Sequence, residues 1–200
     1  MKPFNEITYR QATFYDSIAD IAKLIYLTDP YIYPSAFSSY DDKKWIDLVN
    51  RCLLDEKNFY FVDNLYVAEK NGKILALIVA VKNGKSYRFL PDSYEPSSPV
   101  QRMVEGYYSP LSKEILESID GSTVVNFCTD ISHQNKGIGK NLLKYYLTLE
   151  NVSPTYLDVI SDNTVAVNLY EKLGFNRIKS YLGFSGNEPK PINCYSMKRE

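Results

Sequence analysis

Between Thr123 and Leu173 the apolar pattern alternates twice between strand and helix spacing, and this constrains the fold more than any other feature of the chain. Thr123 to Thr129 reads as a strand, Gly137 to Glu150 as a helix, Tyr156 to Ile160 as a strand and Asn163 to Leu173 as a helix. Strands over Phe175 to Leu182 and Ile192 to Met197 follow. Strands joined through a helix pair in parallel, so an α/β sheet with at least some parallel pairing is expected. With 200 residues the chain is one domain by size, or at most two small ones, and long enough to bury a core without disulfides or metal.

The first half is less regular. Ile7 to Thr13 reads as a short strand, and Asp16 to Leu27 as a helix with Ile18, Ile21, Ala22 and Ile25 on one face and Asp16 or Ser17 as its cap. Thr28 to Tyr40 reads as a loop, because Pro30 and Pro34 disfavour helix in the residues before them. A helix over Asp41 to Leu54 places Trp45, Leu48, Val49 and Cys52 together. Leu65 to Glu69 and Lys73 to Val81 are strands joined at Lys70-Asn71-Gly72, an Asn-Gly hairpin signal. Residues 82–121 form an excursion with Pro91, Pro96, Pro99 and Pro110 and a helix near Leu111 to Ile119. It is an insertion within a single domain 1–200, either functional or plain surface.

Composition narrows the partners. Lys+Arg 23 against Asp+Glu 24 leaves a net charge of −1, so neither nucleic acid nor an acidic membrane surface is an expected partner. Cys52, Cys128 and Cys194 are odd in number and far apart, and there is one histidine, His133, so no metal centre is expected. The N-terminus lacks the apolar core of a signal peptide. The longest apolar run, Ile74 to Val81, falls well short of the roughly 20 residues that span a bilayer. A cytoplasmic protein is expected.

The richest chemistry lies where the strand ending at Thr129 runs through a polar turn into Gly137-Ile138-Gly139-Lys140. Glycines without a Cβ allow a ligand close to the backbone, and the first N–H groups of a helix suit a phosphate. Lys136, Lys140 and Lys144 either add positive charge there or form a solvated face. Neither a dinucleotide fingerprint nor a nucleotide P-loop fits, since Leu142 stands where a third glycine is needed and Asn141 where Ser or Thr is needed. The second signal is Asn163-Thr164-Val165-Ala166-Val167-Asn168-Leu169-Tyr170-Glu171-Lys172-Leu173-Gly174-Phe175, whose helix Ser161, Asp162 or Asn163 can cap. By periodicity Tyr170 belongs to its apolar stripe.

Together the two segments resemble the GNAT superfamily of acyl-CoA-dependent N-acetyltransferases. Gln134-Asn135-Lys136-Gly137-Ile138-Gly139 fits that family's Arg/Gln-x-x-Gly-x-Gly/Ala turn, and the Asn163 to Phe175 segment fits its Asn-x-x-Ala-x-x-Leu-Tyr-x-x-x-Gly-Phe helix. The match covers about Val124 to Asn176. Ile131 stands where the family often has proline. The resemblance implies a single domain with a central mixed, mostly antiparallel twisted sheet of about six to seven strands, about four flanking helices, and an insertion before the cofactor-binding strand. It implies acetyl-CoA as cosubstrate, its pyrophosphate against Asn135, Lys136, Gly137, Ile138, Gly139 and Lys140, its pantetheine arm along Phe127, Cys128 and Thr129, and a contact from Asn163. Tyr170 matches the tyrosine that protonates the departing thiolate, a role that suits a phenol held within reach.

The acceptor amine must lose a proton, which for a lysine-like amine costs roughly 4–5 kcal/mol at neutral pH. Asp158 matches a place where some family members carry a catalytic glutamate, one methylene longer; Asp130 and Glu69 are alternative bases, and each carboxylate is otherwise a solvated strand-end charge. Cys128 reads as a buried apolar residue, because direct transfer needs no covalent nucleophile. Tyr31, Tyr33, Phe37, Tyr107 and Tyr108 are candidate walls for the acceptor, by cation–π contact, or simply packing. A small-molecule amine, a peptide N-terminus and a protein lysine all fit, and an edge strand or the insertion is compatible with a homodimer. The alternative to an acetyltransferase is a catalytically inactive GNAT-like module that binds acyl-CoA or senses it.

Overall fold

The computed structural model describes residues 6–28, 33–34, 37–88, 120–150, 152–183 and 192–200. Along them run β1 (Thr8–Gln11), α1 (Ile18–Tyr26), α2 (Lys43–Leu53), β2 (Leu65–Lys70), β3 (Lys73–Lys82), β4 (Ser122–Thr129), α3 (Ile138–Tyr146), β5 (Thr155–Ile160), α4 (Thr164–Lys172), β6 (Asn176–Gly183) and β7 (Ile192–Arg199). Each strand and helix read from the sequence has its counterpart here, except the helix near 111–119, which lies outside the described residues. The seven strands form one sheet in the order β1-β2-β3-β4-β5-β7-β6. Its one parallel pair among the described residues is β4 with β5, joined through α3; the rest are antiparallel.

Two apolar layers enclose the sheet. Ile21, Ala22, Leu24 and Ile25 of α1 and Trp45, Leu48 and Val49 of α2 pack with Val67, Leu77 and Val79 on one face. Leu142, Leu143 and Tyr146 of α3 and Val167 and Tyr170 of α4 pack with Ala76, Ile78, Val124, Leu157 and Val159 on the other. β3 is buried along both faces, which is why its sequence is a continuous apolar run rather than an alternation. No helix among the described residues is long and apolar enough to cross a membrane.

Local chemistry settles the helix starts. Ser17 caps α1 by accepting from the Asp20 N–H at 3.2 Å. Asp16 instead takes a two-pronged bond from Arg10, at 2.5 and 2.8 Å. Burial alone would raise the Asp16 carboxyl, but the bonds from Arg10 and Thr13 outweigh it and hold it below its ordinary value. Asn71 and Gly72, with φ of 54° and 77°, make the β2–β3 turn the Asn-Gly pair announces.

Val125 decides what the sheet can hold. β3 pairs Val79 with Asn126 and Ala80 with Val124, so Val125 is an extra residue, a bulge in β4. A bulge bends a strand and sharpens its twist. β4 and β5 pair over Ser122–Thr155, Thr123–Tyr156 and Val124–Leu157, and then part at the bulge. The sheet is forked at its centre.

Candidate active site at the sheet fork

From Val125 to Thr129 the edge of β4 toward β5 has no strand partner among the described residues, while β3 holds the other edge. Such an edge presents backbone N–H and C=O groups to any extended, amide-bearing ligand. Phe127, Cys128 and Thr129, named from the sequence for this contact, lie on it. The bulge also resets which way the side chains point. Phe127 packs into the layer beneath α3 and α4, its ring centroid 6.3 Å from that of Tyr170. Cys128 packs against the α1–α2 layer. Burial, with the nearby Asp130 charge, pushes its thiol up to about 11, so it is a neutral packing group at physiological pH.

The turn after β4 is pinned from three sides. Asp130, 3% exposed, accepts from Lys23 Nζ at 2.5 Å, from the Ser132 N–H at 3.0 Å and from Ser132 Oγ at 2.5 Å. Its own N–H donates to Leu75 O at 2.9 Å. Burial alone would raise the Asp130 carboxyl; the bonds from Lys23, Ser132 and His133 overcome this and hold it far below the usual carboxylate range. Its carboxylate oxygens are thus engaged by Lys23 and Ser132. Glu69 is likewise engaged, accepting from the Gly72 N–H at 2.8 Å.

Asn135 and Gly137 take φ of 60° and 76°, turning the chain into α3. The first backbone bond of the helix is Asn141 N–H to Gly137 O at 3.0 Å, and no side chain caps Gly137. The N–H groups of Ile138, Gly139 and Lys140 therefore have no partner within the helix and lie at its positive end. Lys136 is bound back into the turn, donating to Ser132 O at 2.9 Å, so it does not share a helix face with Lys140 and Lys144. The two glycines serve different needs. A Cβ at Gly137 would meet open space, whereas one at Gly139 would sit 2.5 Å from Thr129 Oγ1 and 3.1 Å from Phe127 Cζ. Gly139 thus lets α3 lie close on β4, a packing role that its place in the glycine turn did not suggest.

Asn163 caps α4, its Oδ1 accepting from the Ala166 N–H at 3.1 Å, which leaves its Nδ2 free to donate elsewhere. Tyr170 is buried between Phe127 and Phe175, and burial pushes its phenol up, so it carries its proton throughout the neutral range. Asp158 lies across the fork on β5. Leu157 and Val159 on either side of it point into the α3–α4 layer, so Asp158 faces the opposite way; it is exposed and accepts a hydrogen bond from Ser196 Oγ.

Two of the aromatic walls named from the sequence turn out to be core. Tyr33 and Phe37 are 6% and 7% exposed and pack on Trp45 at 4.9 and 5.0 Å, with the Tyr33 and Tyr60 hydroxyls 2.5 Å apart. Tyr31, Tyr107 and Tyr108 lie outside the described residues. Sequence reasoning missed the Lys23–Asp130 pair and the Val125 bulge. The first joins positions 107 apart and the second exists only relative to β3, so neither leaves a local signal.

Comparison with known proteins agrees with this architecture. A family model described as "Acetyltransferase (GNAT) family" matches residues 19–175. N-alpha-acetyltransferase RimI of Mycobacterium tuberculosis is 34% identical over 74 residues, which are 36% of this chain and 44% of that protein. The chain thus spans less than half the length of that curated relative. An N-acetyltransferase from Staphylococcus aureus Mu50 superposes with a TM-score of 0.64 at 18% identity, over 96% of this chain and 99% of that one. A GNAT family acetyltransferase from Elizabethkingia anophelis, solved with acetyl-CoA bound, gives 0.55 at 19% identity over 97% of each chain. The two structures share the fold, and the family model takes in both the forked sheet and the glycine turn: this chain belongs to the GNAT acetyltransferase family.

Proposed function

We propose that this protein transfers the acetyl group of acetyl-CoA to a primary amine by direct attack in a ternary complex. The observation that carries the reading is the fork itself: a β4 edge without a strand partner among the described residues, ending in a helix start whose first N–H groups have no helical partner, with a protonated phenol buried alongside. These fit an acyl thioester carried on a pantetheine arm and a pyrophosphate. In this reading the backbone of Phe127, Cys128 and Thr129 aligns the arm, and the segment from Asn135 to Lys140 receives the pyrophosphate. The Asn163 amide adds a donor. The amine nitrogen bonds to the thioester carbonyl carbon, the C–S bond breaks, Tyr170 gives its proton to the leaving sulfur, and the nitrogen sheds one proton to the acceptor side. Asp158 is the carboxylate proposed to take that proton. In this reading the whole span 1–200 acts as one domain, and 82–121, which starts at the last residue of β3, is an insertion ahead of β4.

For the acceptor, an α-amine is favoured. The M. tuberculosis relative is named for that chemistry, and an α-amine of pKa near 7.7–8.0 costs only about 1 kcal/mol to deprotonate at pH 7, far less than a lysine. An exposed carboxylate already accepting a bond from Ser196 suits the easier task. The test is an acetyl-CoA thiol-release assay with an alanine-initiated peptide, the same peptide blocked at its N-terminus but carrying lysine, and a small amine, with products weighed by mass spectrometry. The expected result is one acetyl group on the free α-amine, and a loss of about 10²-fold in kcat for Tyr170→Phe with acetyl-CoA affinity kept. No thiol release above the acceptor-free rate with any of the three would refute the reading.

A further inference from the structure

Asn126 is the first residue beyond the bulge, at the point where β4 leaves β5. Its Nδ2 donates to Thr28 Oγ1 at 2.7 Å, just past the end of α1, so its side chain lies on the α1 face of the sheet. The Thr28 hydroxyl in turn donates its single proton to Ile25 O at 2.6 Å. Oγ1 therefore has only lone pairs to offer Asn126, and the amide can present only its NH₂ there. This fixes the other end. Asn126 Oδ1 is buried and has no hydrogen-bond partner among the described residues. A buried carbonyl left unmatched is costly, and sites that bind polar ligands are where such groups occur. Oδ1 accepts and cannot donate, so the partner it awaits is a donor, an N–H or an O–H.

The residues read for the cofactor and those read for the acceptor lie on opposite faces of the fork. The glycine turn, α3, α4 and Tyr170 lie on one face. Asn126 on β4 and Asp158 on β5 flank the opening on the other. Resting on the acetyl-transfer reading, we propose that Asn126 is a specificity-determining residue of the acceptor site, whose Oδ1 receives an N–H of the incoming amine. As the nitrogen bonds to the carbonyl carbon it gains positive charge, so a carbonyl oxygen on its N–H is worth more in the transition state than before it. The same bond turns the nitrogen's lone pair toward the fork and its remaining proton toward Asp158. An acceptor whose nitrogen carries no hydrogen cannot use it.

Asn126→Leu keeps the size and removes the acceptor oxygen; Asn126→Asp keeps an oxygen in place and lets the Thr28 hydroxyl turn to donate to it. With an alanine-initiated peptide as probe, Asn126→Leu is expected to lose about 10- to 100-fold in kcat/KM for the peptide. Its acetyl-CoA affinity by calorimetry is expected to stay within about twofold, and Asn126→Asp to recover part of the loss. Should Asn126→Leu fail to fold, Thr28→Val carries the test: it frees the amide to rotate and is expected to lower peptide kcat/KM several-fold at unchanged acetyl-CoA affinity. Wild-type peptide kinetics in these variants, or a loss of acetyl-CoA affinity that matches the loss of transfer, would overturn the assignment. Silence of the unmutated protein on every amine would instead overturn the transfer reading, and the assignment with it.

Discussion

Gly137 and Gly139 stand two residues apart in one motif and are glycine for unrelated reasons. Gly137 holds φ at 76° with nothing near where its Cβ would be, so the constraint is backbone conformation. Gly139 is an ordinary helical residue whose Cβ would strike Thr129 Oγ1, so the constraint is contact between helix and strand. Substitutions separate the two. Gly137→Ala is expected to cost about 1–2 kcal/mol in urea unfolding, and Gly137→Asn less, because asparagine tolerates the left-handed region. Gly139→Ala is expected to cost about 1–3 kcal/mol by overpacking, and Gly139→Asn more, since the larger side chain worsens the collision. A Gly139→Asn variant as stable as the wild type would contradict the packing role.

At the scale of elements, the Lys23–Asp130 pair ties α1 to the turn between β4 and α3, at 2.5 Å. Asp130 has a lowered value in the folded state, so its contribution is present above the unfolded carboxyl near pH 3.9 and is lost as pH falls through the folded value. Lys23 is raised by its bond to Asp130, so its share is present below about pH 10.4 and is lost as pH rises through the folded value. Between those limits the pair holds. Lys23→Met is expected to destabilise by about 2–3 kcal/mol near neutrality, less than a wholly buried pair because Lys23 is partly solvated. Urea titrations across pH check both points: Asp130→Asn should flatten the acid limb of the stability curve. An acid limb as steep as that of the wild type would show that Asp130 does not set it.

Across the whole molecule, the alternation from Thr123 to Leu173 was legible because its strands and helices each bury one periodic face, and the order β4–α3–β5 forces the parallel pair. The run Ile74 to Val81 was legible because helices cover both faces of β3. Features made by distant partners were not. The bulge at Val125 is a mismatch with β3, the orphaned oxygen of Asn126 depends on Thr28, and Tyr33 and Phe37 are core because Trp45 waits between them. What emerges is a sheet forked by one extra residue, with a glycine turn and a phenol on one face and an amide and a carboxylate on the other. The most direct measurement of this account is calorimetric titration of the protein with acetyl-CoA, CoA and ATP. The fork and turn together predict micromolar binding of both CoA species and none of ATP, which lacks the amide-bearing arm that pairs with β4. Failure of acetyl-CoA and CoA to bind, or binding of ATP as tight as theirs, would contradict it.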